Sequence, residues 1–261
     1  MTISPALFAA LETPASLTIA LSGGIDSLTL SAAAARVRGA DGLTLCHAVS
    51  PAVPAAATAR VHDFAARRGL ALRVVDAGEF ADASYRANPV NRCYFCKSNL
   101  YGTLARMGDV VVAGTNTDDL SDYRPGLQAA GEHGVLHPFV DAAMSKADVR
   151  VLARVLGLGD LADLPAAPCL ASRIETGLQV EPADLRVIDR VETLLRERLG
   201  NVTLRCRLLR VGWTVEIDAG VHAGLSAAQR DAICAEVREA VFDARPVSLR
   251  AYVRGSAFVH G

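Results

Sequence analysis

Residues 17–39, LTIALSGGIDSLTLSAAAARVRG, decide the fold. A short apolar run, LTIAL, is cut off by SGGIDS and followed by an Ala-rich stretch, so the segment reads as strand, tight loop and helix. The same order recurs further on. GLTLCHAV at 42–49 predicts a second strand, the Ala-rich 55–68 a helix, and ALRVVDA at 71–77 a third strand. DVVVAGT at 109–115 predicts another, ended by Gly114, where a loop begins. SKADVRVLARVLGLG at 145–159 has an N-cap in Ser145, apolar residues at 149, 152, 155 and 156, and Gly157 and Gly159 near its end, which predicts a helix. Strands alternating with helices are the pattern of an α/β protein, a parallel sheet with helices on both faces.

The style changes after DLPAAPCL at 163–170, where Pro165 and Pro168 predict an extended loop. Helix 182–199, strands NVTLRCRLL and VGWTVEIDA, helix 226–241 and strand PVSLRAYVR make a small α+β domain. The expected division is 1–178 and 179–261, joined through the loop 174–182.

At 261 residues with 51% hydrophobic content the chain buries enough surface to fold without staples. No apolar run approaches the roughly 20 residues that cross a bilayer. The start, MTISPALFAALETPASL, has no positive region and carries Glu12, so it does not read as a signal peptide, and a cytoplasmic location with reduced cysteines is expected. A formal net charge of −1 with 5% aromatic residues argues against a broad nucleic-acid surface.

SGGIDS stands where a parallel strand passes into a helix, a place suited to phosphate. Gly23 and Gly24 allow close backbone approach, Ser22 and Ser27 offer hydroxyls, and Asp26 is a candidate magnesium ligand. The lysine of a Walker A loop is missing. GTNTDDLSDYRPG, after a strand end, should direct Asp118, Asp119, Asp122 and Arg124 to the same crevice. Cys93 and Cys96, three apart in NRCYFCK, are compatible with half a zinc site, an iron-sulfur site, a redox dithiol or two buried thiols. Cys169 lies in PCLASRIETG, where Ser172 can cap the following turn and Arg173 can stabilise a thiolate or bind a phosphate. In LRCRLLR the strand period places Arg205 and Arg207 on one face, either a wet outer surface or a site for a substrate phosphate.

SGGIDS at the end of the first strand resembles the signature of the PP-loop ATP pyrophosphatases, which split ATP between the α and β phosphates. SKADVRVLARVLGL is similar to a lysine-bearing helix in several of them, which implies Lys146 as a pyrophosphate ligand. With NRCYFCK, GTNTDDLSDYRPG and APCLASRIETG in this order, the chain resembles the LarE family, ATP-dependent sulfur transferases of nickel-pincer cofactor synthesis. The resemblance implies ATP and magnesium at Ser22, Gly23, Gly24, Asp26, Ser27, Gly114 and Lys146. It implies a pyridinium-3,5-biscarboxylic acid mononucleotide substrate near Asp119, Asp122, Arg124, Ser172, Arg173, Arg205 and Arg207. Cys169 would be the sulfur centre. Family members with only that cysteine sacrifice its sulfur, whereas those with the CxxC pair hold a [4Fe-4S] cluster on three cysteines, the pattern of Cys93, Cys96 and Cys169. The resemblance also implies a sulfide or other sulfur donor as partner and a homo-oligomer, a hexamer. A tRNA thiolase would need a basic RNA surface, and a nucleotide-sensing module would leave the three cysteines unexplained.

Overall fold

The computed structural model describes residues 3–121, 124–165, 168–200, 202–241 and 244–258. The chain divides into two units, one of residues 1–82 and 91–167 and one of 83–90 and 168–261.

The first unit opens with α1 (Pro5–Glu12), capped by the Ser4 hydroxyl accepting from the Leu7 amide, and β1 (Leu17–Ala20). Then follow α2 (Ile25–Arg38), β2 (Leu43–Ala48), α3 (Ala55–Arg68) and β3 (Ala71–Val75). The chain enters the second unit through α4 (Ala83–Arg86) and returns with α5 (Arg92–Ala105), β4 (Val110–Val112), α6 (Pro125–Glu132), α7 (Pro138–Asp141) and α8 (Lys146–Val155). The four strands are parallel in the order β3-β2-β1-β4. Alternate residues supply the two faces. Leu17, Ile19, Leu43, Leu45 and Val112 pack with Leu7, Leu28, Val61, Phe64, Val149 and Leu152 from the helices of one side. Cys46, Val111 and Ala113 pack with Tyr101 and Leu104 of α5 and Ala129 and Ala130 of α6. The expected parallel α/β architecture is the one observed.

This strand order fixes where chemistry can sit. From β1 the chain moves to β2 and β3 on one side, and β4 adds on the other, so the carboxyl ends of β1 and β4 border a topological switch point. α8 ends earlier than its apolar pattern suggests. Gly157 adopts φ +71° and the Leu158 amide returns to the Ala153 carbonyl, closing the helix before a 3-10 turn at Gly159–Asp163.

In the second unit a 3-10 turn, Leu170–Arg173, precedes α9 (Pro182–Leu199), β5 (Leu204–Leu209), β6 (Gly212–Ile217), α10 (Ala219–Gly224), α11 (Ala227–Val241) and β7 (Val247–Ala251). β5 and β6 are antiparallel, and β7 joins β6 in parallel. Register separates the faces. Leu204 pairs with Ile217, Cys206 with Val215 and Leu208 with Trp213, all buried. Arg205 opposite Glu216 and Arg207 opposite Thr214 form the other face. The early segment 83–90 is sewn into this unit by backbone groups. Val180 donates to the Arg86 carbonyl, Gly177 to that of Asn88, and Asn88, at φ +54°, donates through Nδ2 to Glu175 at 2.9 Å.

Leu45 is fully buried at the centre of the first core. Leu45→Ala should cost about 2–5 kcal/mol, read as a lower denaturation midpoint with unchanged slope.

Candidate functional site

The SGGIDS loop leaves β1 and enters α2 with Gly24 as N-cap. The Ser27 hydroxyl knots it by donating to the Gly24 carbonyl at 3.0 Å and accepting from the Ser22 amide at 3.2 Å. The Ser22 hydroxyl lies 3.1 Å from that of Ser27. Two backbones press on the loop. A Cβ on Gly23, at φ +79°, would stand 2.8 Å from the Ala57 carbonyl oxygen of α3. A Cβ on Gly114 would stand 2.8 Å from the Asp26 carbonyl carbon and 2.9 Å from the Ser27 nitrogen. The loops after β1 and β4 therefore touch at the switch point, and glycine is the residue that lets them.

Asp26 is the hub. Lys146, in the first turn of α8, places Nζ at 2.6 and 2.5 Å from its two carboxylate oxygens. Asn116 donates Nδ2 to Oδ1 at 3.3 Å. Lys146 is aimed by a capping box in which Ser145 and Asp148 bond reciprocally, and by Thr117, whose amide and hydroxyl both donate to the Met144 carbonyl. Asp119 accepts from the Asn116 amide at 3.1 Å and pairs with Arg124 at 2.7 Å. Asp118 is exposed, and Asp122 lies outside the described residues.

Cys93 and Cys96 occupy the first turn of α5, where a spacing of three puts both on one face. Cys93 is exposed and Cys96 half-buried. The start of α6 lies against this turn, since a Cβ on Gly126 would meet the Lys97 side chain at 2.9 Å and the Cys93 carbonyl oxygen at 3.6 Å.

In the second unit Cys169 caps the turn Leu170–Arg173 and is half-buried. Its carbonyl accepts from the Ser172 amide at 3.0 Å, the Ser172 hydroxyl at 2.7 Å and Arg173 Nη1 at 3.1 Å, so the backbone at the cysteine is held from three directions. Arg173 is buried and bidentate to Glu192, with Nε at 2.9 Å from Oε1 and Nη2 at 3.1 Å from Oε2. Arg207 is also buried. It donates Nε to Glu216 at 2.6 Å and Nη1 to the Ser172 carbonyl at 3.3 Å. Glu216 accepts in addition from Arg250 and Ser256. Burial alone raises both carboxyls, but the guanidiniums outweigh it, joined at Glu216 by the Ser256 hydroxyl, and hold Glu192 and Glu216 below the usual range. Arg205 donates to the Leu204 carbonyl at 2.7 Å, and burial, aided by the nearby Arg173 charge, lowers its proton affinity.

Comparison with known proteins gives no matching family model. An uncharacterised protein of Synechocystis sp. is 40% identical over 72% of this chain and 71% of its own. One of Methanocaldococcus jannaschii is 33% identical over 68% of each. The pyridinium-3,5-bisthiocarboxylic acid mononucleotide synthase of Lactiplantibacillus plantarum is 31% identical over 77% of this chain and 74% of its own. The chain belongs to the LarE family. Of the residues that sequence reasoning assigned within it, Ser22, Gly23, Gly24, Asp26, Ser27, Gly114 and Lys146 gather around one loop, with Asp119 and Arg124 one step further along the β4 loop. Cys169, Ser172, Arg173 and Arg207 form a second, separately built cluster. Asn116, buried and bonded to Asp26, was not singled out; its position in GTNTDD next to chosen residues was the signal. Among the described residues no group of three or more His, Cys, Asp or Glu side chains is gathered as a metal site, and no helix is long and apolar enough to cross a membrane.

Three outcomes follow for this LarE family member. Gly114→Ala should push the SGGIDS loop and the β4 loop apart and cost about 1–3 kcal/mol, read as a lower denaturation midpoint, because the added carbon meets backbone rather than a flexible side chain. Glu216→Ala should cost about 3–5 kcal/mol of stability by leaving buried Arg207 unpaired. As the folded pKa values of Glu192 and Glu216 are depressed, their stabilisation is complete above roughly pH 5 and lost as pH falls through those values. Acid titration of the wild type, followed by circular dichroism, should show that loss.

Proposed function

We propose that the protein is an ATP-dependent sulfur transferase that converts a carboxylate of pyridinium-3,5-biscarboxylic acid mononucleotide to a thiocarboxylate. The observation that carries this reading is the 31% identity, over about three quarters of both chains, to a synthase whose name specifies the bisthiocarboxylic product. The touching glycine loops and the Asp26–Lys146 pair support the ATP half of it.

In this reading the substrate carboxylate oxygen attacks the α-phosphorus of ATP. Pyrophosphate leaves, and an acyl adenylate forms. Sulfur then adds to the acyl carbon and AMP departs with the C–O electron pair, giving the thiocarboxylate. The amides of the SGGIDS loop and the Ser22 and Ser27 hydroxyls bind the polyphosphate, and Lys146, now on Asp26, exchanges that carboxylate for phosphate oxygens. Asp26 is an oxygen donor suited to magnesium, and Asn116 orients it. Asp119 and Arg124, paired with each other, serve the substrate side. Arg205 and Arg207 address the substrate phosphate, and Ser172 and Arg173 hold Cys169 at the sulfur-transfer step.

In this reading Cys93, Cys96 and Cys169 would be the thiolates that hold a [4Fe-4S] cluster, which would supply the sulfur for the transfer step. The pair on one face of α5 supplies two of these ligands. The protein works as a homo-oligomer on a small molecule, with no nucleic-acid partner.

Pyrophosphate release should depend on the pyridinium mononucleotide and not on tRNA. Release without dependence on that substrate rejects the reading. Anaerobic purification followed by iron and sulfide analysis should give about four irons per chain and an unchanged protein mass after turnover. A loss of about 34 Da, the conversion of Cys to dehydroalanine, would instead make Cys169 the sacrificed donor.

A further inference from the structure

Arg60 projects from α3 onto the phosphate loop and donates Nη1 to the Gly23 carbonyl at 2.8 Å. It is half-buried, and burial draws its guanidinium below the ordinary value. Among the described residues no carboxylate pairs with it. The loop's own carboxylate, Asp26, is engaged by Lys146 at 2.5 Å. A guanidinium has five N–H donors. One is spent on Gly23, and a half-desolvated cation without a counter-ion is costly to keep. Ala57, one turn earlier on α3, sets the spacing, because its carbonyl is the group against which Gly23 is packed. Thr58 keeps this part of the helix in place through His47, whose Nδ1 lies 2.8 Å from the Leu21 carbonyl and whose Nε2 lies 3.0 Å from the Thr58 hydroxyl. The side of the loop that faces α3 is therefore rigid, closely packed and carries one unbalanced positive charge.

We propose that Arg60 is a pyrophosphate-contact residue: anchored on the Gly23 carbonyl, its remaining donors bind the β- and γ-phosphate oxygens of ATP and stay on the pyrophosphate as it leaves. The assignment rests on the ATP reading above. It makes the leaving group's cradle two-sided, with Lys146 of α8 at the Asp26 side and Arg60 of α3 at the Gly23 side. Nothing in the sequence motif reports this, since Arg60 sits in the middle of an otherwise ordinary amphipathic helix.

The test uses calorimetry with magnesium and three probes, α,β-methylene ATP, inorganic pyrophosphate and AMP, on the full chain. Arg60→Gln keeps an N–H for the Gly23 carbonyl but removes the charge. It should bind the ATP analogue and pyrophosphate about ten- to hundredfold more weakly, the range for a charge-assisted hydrogen bond, and AMP as the wild type does. Arg60→Lys should recover part of the loss and serves as the test if the Gln variant fails to fold. Equal weakening for all three probes would mean that Arg60 only shapes the loop, and unchanged affinity for pyrophosphate would overturn the assignment outright. A wild type that binds none of the probes would sink the ATP reading, and the Arg60 assignment with it.

Discussion

Everything in the first unit is arranged around the close passage of three backbones at the carboxyl ends of the strands. Gly23 touches the carbonyl of Ala57, and Gly114 touches the peptide joining Asp26 to Ser27. Parallel pairing of β1 with β2 and β4 brings these segments to the same height, and the switch in strand order puts the β4 loop beside the β1 loop. Side chains then add what backbone cannot. Asn116 and Lys146 converge on Asp26 from the loop after β4 and from the first turn of α8, while Arg60 holds the opposite flank. A loop pinned from several sides has little conformational entropy left to lose, which is what preorganisation means for any ligand it meets.

The second unit solves a different problem. Two buried carboxylates, Glu216 on the face of the three-stranded sheet that carries Arg205 and Arg207, and Glu192 on α9, each gather guanidiniums. Glu216 accepts from Arg207, Arg250 and Ser256, and Glu192 accepts from Arg173 and Arg196. Such pairs contribute little net stability relative to apolar packing but penalise any arrangement that breaks them. The turn bearing Cys169 is tied into both, through Arg173 on its carbonyl and Arg207 on that of Ser172. Its backbone is thus fixed by groups whose own positions are costly to change, while the thiol keeps partial exposure.

Much of this was legible in the sequence. The strand-loop-helix reading of 17–39, the helices at 55–68 and 182–199 and the three C-terminal strands match the observed elements closely because each has a clean apolar period bounded by Gly, Pro or a capping residue. The SGGIDS segment was legible as the loop between β1 and α2 because its glycines interrupt the apolar run at a strand end. α5 was not legible as a helix, since RCYFCKSNLYGTLA mixes polar and aromatic residues without a strong apolar face. The pairing of Arg173 with Glu192 and of Arg207 with Glu216 depends on tertiary register, which a list of charged residues does not encode. Arg60 had no motif around it, and only the geometry of α3 against Gly23 marks it.

The segment 83–90 bears on how this protein can be made and altered. Its partners lie far ahead in the chain, Asn88 waiting for Glu175 and Arg86 for Glu181. During synthesis these residues must remain unpaired while the rest of the first unit emerges around them, so the second unit cannot be completed by its own C-terminal stretch. For the same reason it is not a cassette. A cut before residue 168 would yield a fragment lacking one of its own structural pieces, and recombination that exchanged only the C-terminal part would have to bring a compatible octapeptide with it.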